Sequence, residues 1–142
     1  MPEQKSGATM FSQRNLGLGA LLVLAAGVAA WWLMPDATST TVDVKVPELS
    51  PIAEAGRAAF QEHCAACHGP AAGGTEKGPP LVHKWYQPSH HADVAFALAA
   101  KRGAPQHHWH FGNMPPVPDA GDRSLQQIVQ YVRELQRANG IY

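Results

Sequence analysis

Hydrophobic and polar positions divide the chain into an apolar run near its N-terminus and several amphipathic segments that follow. Residues 16–34 contain no charged side chain over nineteen consecutive positions. A helix of this length measures roughly 28 Å, close to the roughly 30 Å hydrocarbon thickness of a bilayer. Trp31 and Trp32 end the run, where indole rings suit the headgroup boundary. The pattern therefore predicts a single transmembrane helix over residues 16–34.

The charges on either side of this run indicate its orientation. Lys5 and Arg14 precede it and Asp36 follows it, so we expect residues 1–15 to form a cytoplasmic tail. A cleaved signal peptide is the alternative, with a tolerable cleavage site at residues 28–30. The run continues through residues 31–34, which favours an uncleaved anchor. Both interpretations place the rest of the chain outside the cytoplasm.

Residues 35–49 are rich in Thr, Ser and Pro and lack helical periodicity. They are interpreted as a flexible linker between the anchor and a folded domain. Alternating valines at positions 42, 44 and 46 leave a short strand open as an alternative. A tether of this kind would keep the domain close to its partners.

Helical signals then recur over residues 50–142 and predict an all-α domain. Ser50 and Pro51 are typical of a helix start, and this first helix is expected to run to residue 68. Residues 93–103 predict a short helix. Residues 122–138 predict the clearest one, since their apolar positions recur every three or four residues, with Asp122 as a candidate N-cap. Residues 104–121 form a long loop, and such loops are often functional.

Charge excludes one broad class of function. Lys and Arg total 11, as do Asp and Glu, so no bulk charge points to nucleic acid. The two cysteines lie only three positions apart, which excludes a framework of structural disulfides.

Those cysteines belong to the sequence Cys64-Ala65-Ala66-Cys67-His68, the attachment signature of c-type haem. Each thiol can add to one haem vinyl group, and the histidine that follows can bind the iron as an axial ligand. A thioredoxin-like dithiol would need a βαβ context, and a zinc site would need a second ligand pair of suitable spacing. A simple disulfide would leave His68 without a role. The motif therefore predicts covalent haem.

From Ser50 to Tyr142 the chain resembles class I, mitochondrial-type cytochromes c in their membrane-anchored bacterial form. The matching features follow in the family's order: Gly56 and Phe60, the Cys64–His68 motif, Gly78-Pro79-Pro80-Leu81, a middle helix, Met114-Pro115 and a final helix with Tyr131. Two departures are Pro80, where relatives often carry a non-proline residue, and the histidines that precede Met114.

The resemblance implies an all-α cytochrome c fold around one covalent haem c. Its first and last helices would cross, with Gly56 allowing close approach to Tyr131. Cys64 and Cys67 would form the thioethers, and His68 and Met114 would be the axial ligands of the iron. The Pro79 carbonyl would hold the His68 ring, and Leu81 would pack on the haem.

The resemblance also implies an electron carrier rather than an enzyme. We expect protein donors and acceptors of single electrons, among them membrane respiratory complexes, on the periplasmic side of a bacterial inner membrane. No nucleic acid or small-molecule substrate is expected. Two alternatives stay open: a redox subunit docked in a larger oxidase, reductase or copper-protein system, and a haem sensor or catalyst in which Met114 is displaced.

The remaining histidines carry no assigned role. His107, His108 and His110 could bind a metal such as Cu(II), supply a rival axial ligand, or lie solvated in their loop. His90 and His91 are expected in a loop, and His63 on the exposed side of the first helix.

Overall fold

The computed structural model describes residues 41–142. These residues form four α-helices, α1 (Pro51–His63), α2 (Ala65–His68), α3 (Asp93–Arg102) and α4 (Asp122–Ala138), with a 3-10 turn at Lys84–Tyr86. No β-strand occurs among them, which confirms the all-α prediction for the domain. The predicted tail at 1–15, the anchor at 16–34 and residues 35–40 of the linker lie outside the described residues. Within 41–142, no helix combines the length and apolarity needed to cross a bilayer.

Ser50 begins α1 and also ties it to α4. Its hydroxyl accepts a hydrogen bond from the Ala53 N–H at 3.3 Å, as an N-cap residue does, and Pro51 occupies the first turn. The same hydroxyl donates to Glu134 Oε1 at 2.6 Å, and the Ser50 N–H donates to Glu134 Oε2 at 3.0 Å. The start of the first helix is therefore fixed to the last one.

α1 and α4 pack closely because Gly56 has no side chain. A Cβ built on Gly56 would lie 2.0 Å from the Gln127 carbonyl oxygen, so the backbones touch at this point. One turn further along each helix, the Phe60 and Tyr131 rings lie 5.4 Å apart between centroids. Gly56 was predicted to allow a close approach to Tyr131. The structure shows that its close contact is instead with the backbone of Gln127, one turn before Tyr131.

Two predicted helix limits differ from the structure. The first helix does not run unbroken through the cysteine motif: Cys64 leaves the helical region at φ −126°, and the motif continues on the separate helix α2. Gly69, at φ +76°, then ends α2 as predicted. At the start of α4, the capping position is Gly121 rather than Asp122, which is the first residue of the helix.

Residues 41–49 contact the domain, although the sequence indicated a flexible linker there. Val42 and Val44 pack against the core, and the Val42 N–H donates to the Gly73 carbonyl at 2.7 Å. The Asn139 side chain accepts from the Lys45 N–H at 3.0 Å and donates to its carbonyl at 2.9 Å. The valine alternation thus places apolar side chains on the domain without forming a strand.

Candidate functional site

A cavity of about 430 Å³ opens between the cysteine motif, α3, α4 and the long loop. Its walls include all the residues that the sequence singled out as a haem site: Cys64, Cys67, His68, Pro79, Leu81 and Met114. A depression of about 660 Å³ elsewhere, beside Tyr131, contains no thiol, imidazole or thioether in its lining. The cavity that contains the cysteine motif therefore holds the candidate chemistry.

The two cysteines are free thiols at the cavity wall. Burial raises the pKa of the Cys64 thiol to about 11, with a smaller contribution from the neighbouring Cys67. Redox dithiols need the opposite, a lowered pKa that makes the thiolate available near neutral pH. The environment of Cys64 thus argues against the thioredoxin-like alternative. The Cys67 carbonyl accepts a hydrogen bond from the Thr75 hydroxyl at 2.5 Å, which fixes the end of the motif.

His68 is buried, and its ring is held by a single backbone group. Its Nδ1 lies 2.8 Å from the Pro79 carbonyl oxygen. A carbonyl only accepts, so Nδ1 carries the proton and Nε2 presents a lone pair. Burial lowers the pKa of His68, and the Pro79 bond opposes the shift. The neutral ring is therefore in the tautomer that a metal ligand needs, with an orienting carbonyl behind it.

Met114 is positioned by the residues that follow α3. Ala104 and Met114 exchange two backbone hydrogen bonds, at 3.0 and 2.9 Å. Gly103 makes this approach possible: it adopts φ +76°, and a Cβ there would lie 2.6 Å from the Met114 carbonyl oxygen. The sequence predicted Gly103 as a helix stop. Its second role is at the base of the long loop, residues 104–121, which we call the methionine loop. That role depends on a contact that no local pattern indicates.

Aromatic side chains, among them Tyr86, Trp109 and Phe111, line the cavity near the methionine loop. Trp85 and Trp109 meet edge to face, with 4.7 Å between ring centroids. Burial raises the pKa of Tyr86, and the Trp109 side chain opposes that shift. Among the described residues, Trp109 Nε1 is a buried donor that reaches no hydrogen-bond partner in good geometry. A buried N–H at a cavity wall is costly unless something polar accepts from it.

Two polar side chains of α4 hydrogen-bond to the backbone of the segment that contains Trp85 and His91. Buried Arg133 donates to Asp93 at 2.7 Å, to the Tyr86 carbonyl at 2.8 Å and to the His91 carbonyl at 2.5 Å. Gln136 donates to the Leu81 carbonyl at 2.8 Å. Sequence reasoning missed both α4 side chains, because a polar residue beside an apolar helical stripe looks like one that faces solvent.

Four histidines converge at one edge of the cavity. His90 Nε2 lies 3.3 Å from His108 Nε2, and His91 Nε2 lies 3.4 Å from His107 Nε2. The sequence groups His107 and His108 with His110 instead, and it predicts only a loop position for His90 and His91. His110 is exposed in the same loop and is outside the group of convergent ring nitrogens.

These residues fit the haem that the cysteine motif predicts. The cavity lies within the range of roughly 300–1,000 Å³ typical of cofactor sites. Cys64 and Cys67 would supply the thioethers, and His68 and Met114 the axial donors. The unsatisfied Trp109 N–H could donate to a carboxylate of the same group. The donor set and the apolar walls are both suited to haem.

The comparisons with known proteins agree with this geometry. A family model described as cytochrome c matches residues 53–136, more than half of the chain. Searches of curated proteins and of solved structures found no significant match. The matched span includes the cysteine motif, Pro79, Met114 and nearly all of α4. The chain therefore belongs to the cytochrome c family, whose members hold haem c covalently and use it to transfer electrons.

Proposed function

We propose that this chain is a class I, monohaem cytochrome c that carries single electrons between protein partners. The observation that carries the proposal is that His68 and Met114 line one cavity with both motif cysteines. The chain has two cysteines in all, so it can form one C-x-x-C-H site and attach one haem. A haem iron with histidine and methionine ligands changes its charge by one electron with little ligand rearrangement.

The chain's own residues would hold that iron and restrict access to it. Pro79 fixes the His68 ring, while Ala104 and Gly103 fix the backbone of Met114. With His68 and Met114 both bound to the iron, no coordination position would be left open for a small molecule. This favours a carrier over a sensor or catalyst.

Visible spectra of the oxidised and reduced protein, with and without carbon monoxide, test the ligand set. Met114→Leu keeps the apolar volume but removes the sulfur. We expect it to alter both spectra and to allow carbon monoxide to bind. Leu98→Ala is the matched control, because Leu98 lines the same cavity without offering a donor. Ready binding of carbon monoxide by the wild type would exclude the simple carrier. An unaltered spectrum of the Met114 variant would exclude Met114 as a ligand.

We further propose that residues 16–34 anchor the chain in a bacterial inner membrane, with the haem domain on the periplasmic side. The uncharged run and its flanking charges support this. Its partners would then be donor and acceptor complexes of the respiratory chain. Fractionation of cells that express the full chain is the test. We expect haem in the membrane fraction, and a soluble product that begins near Trp31 would refute the anchor.

A further inference from the structure

The histidine cluster consists of His90, His91, His107 and His108. The first two precede α3 and the other two lie in the methionine loop, so the chain folds two distant segments together to form it. One ring nitrogen from each of His90, His91 and His108 lies within 4.8 Å of the other two. His107 lies outside that group of three and adjoins it through the 3.4 Å separation between its Nε2 and His91 Nε2.

The tautomers of two of these rings are fixed by backbone carbonyls. His91 Nδ1 lies 2.6 Å from the Trp85 oxygen, and His107 Nδ1 lies 2.9 Å from the Pro105 oxygen. Each carbonyl can only accept, so both rings carry their proton on Nδ1. The two Nε2 atoms, 3.4 Å apart, then face each other as lone pairs. Neutral rings in this arrangement cannot hydrogen-bond to each other, whereas a cation between them would bind both.

Two of the separations between ring nitrogens match those in the coordination shell of a small tetrahedral ion. Two imidazoles bound to zinc at about 2.05 Å and at a tetrahedral angle have nitrogens about 3.3–3.4 Å apart. The observed separations are 3.3 Å for His90 and His108 and 3.4 Å for His91 and His107. Square-planar ligands at about 2.0 Å would place adjacent nitrogens about 2.8 Å apart, the geometry that Cu(II) prefers.

We propose that His90, His91 and His108 bind one Zn²⁺ ion, with His107 as the fourth imidazole. The donor type agrees, because imidazole suits zinc and its transition-metal neighbours, whereas calcium and magnesium require oxygen ligands. The site shares no residue with His68 and Met114, the proposed iron ligands, and does not depend on the proposed electron-carrier function.

The surrounding residues hold the rings in place before any ion binds. The Arg133 guanidinium fixes the His91 carbonyl, and Trp85 stacks on the His108 ring with 5.1 Å between centroids and 22° between planes. The methionine loop is closed by two side-chain bonds, from the Gln106 N–H to Asn113 at 2.9 Å and from the Gly112 N–H to Gln106 at 2.7 Å. Outer contacts that orient ligating rings in this way typically contribute 10–100-fold to metal affinity.

Equilibrium dialysis of the haem-loaded full chain against Zn²⁺ tests the site, with bound metal counted by mass spectrometry. The protein is purified without a polyhistidine tag and is first freed of metal with a chelator. We expect one zinc per chain. The double variant His90→Gln, His108→Gln should bind zinc more than about 100-fold more weakly, since it loses two direct ligands. His110→Gln is the matched control and should bind as the wild type does.

A thermal scan keeps the test decisive if the double variant folds poorly. Zinc bound only by the folded wild type must raise its melting temperature as the free zinc concentration rises. His110→Gln should show the same increase. Three results would each overturn the proposal. The wild type and the double variant bind zinc equally, the melting temperature does not rise with zinc, or His110→Gln loses zinc binding. A parallel titration with Cu²⁺ that fills the site while Zn²⁺ does not would overturn its assignment to zinc.

Discussion

Gly56 provides the sharpest test of how α1 and α4 pack. In Gly56→Ala the new Cβ would lie 2.0 Å from the Gln127 carbonyl oxygen, so the helices must separate by at least about 1 Å to relieve the clash. Overpacking of this kind costs about 3 kcal/mol when the neighbouring atom is backbone that cannot rotate away. Alanine returns about 1 kcal/mol of helix propensity. We therefore expect a net loss of about 2 kcal/mol.

Thermal unfolding of the haem-loaded protein measures this loss. For a domain of this size, 2 kcal/mol corresponds to a decrease in melting temperature of roughly 8–16 °C. Gly121→Ala is the matched control, because no atom lies within 4 Å of the Cβ position there and its φ of −65° suits alanine. Its capping position allows a loss of at most about 1 kcal/mol. A Gly56→Ala protein that melts at or above the wild-type temperature would refute the close backbone contact.

Three further predictions concern the cavity and its support. Gly103→Ala should displace Met114, because alanine is strained at φ +76° and its Cβ would meet the Met114 carbonyl oxygen. We therefore expect the haem-loaded variant to bind more carbon monoxide than the wild type, and unchanged binding would contradict this. Arg133→Met should lower the free energy of unfolding by about 2 kcal/mol, because the His91 carbonyl loses its donor. Denaturant titration measures this, with Arg137→Met on the exposed face of α4 as the control, and equal unfolding midpoints for the two variants would disprove it. The melting temperature should decrease between pH 7.5 and 5.5, because burial lowers the pKa values of His83, His91 and His108 from 6.5. Well above pH 6.5 these rings are neutral in both states, whereas as the pH falls through 6.5 the unfolded chain binds more protons and is favoured. Scans of wild type and His83→Gln should give a shallower pH slope for the variant, and equal slopes would exclude His83 as a contributor.

The helices of the domain could be predicted because their signals are local. Ser50-Pro51 begins α1. The three-to-four spacing from Leu125 onwards indicates α4, and the helix extends from residue 122 to residue 138, as predicted. Such signals depend on neighbours within one or two turns. The docking of residues 41–49 depends on contacts with distant segments, and the sequence pattern revealed neither that docking nor the break at Cys64.

The candidate site divides in the same way. Cys64, Cys67 and His68 are contiguous, so their spacing alone indicated haem. The roles of Pro79, Leu81 and Met114 were implied by the family resemblance, and the cavity brings these residues together with the motif. The pairing of His90 with His108, eighteen positions apart, has no sequence signature, since neither loop follows a helical or strand period.

The docked segment at residues 41–49 limits how far an anchored domain could travel. Its Val42 N–H is bound to the Gly73 carbonyl, and the neighbouring Gly74 N–H is bound to the His68 carbonyl. If residues 16–34 lie in a bilayer as proposed, the stretch from residue 34 to residue 41 can span at most about 25 Å, the reach of a fully extended chain. Electrons would then be exchanged within a shallow layer beside the membrane, and tension on the tether would act, through Gly73 and Gly74, on the backbone of His68, the proposed iron ligand.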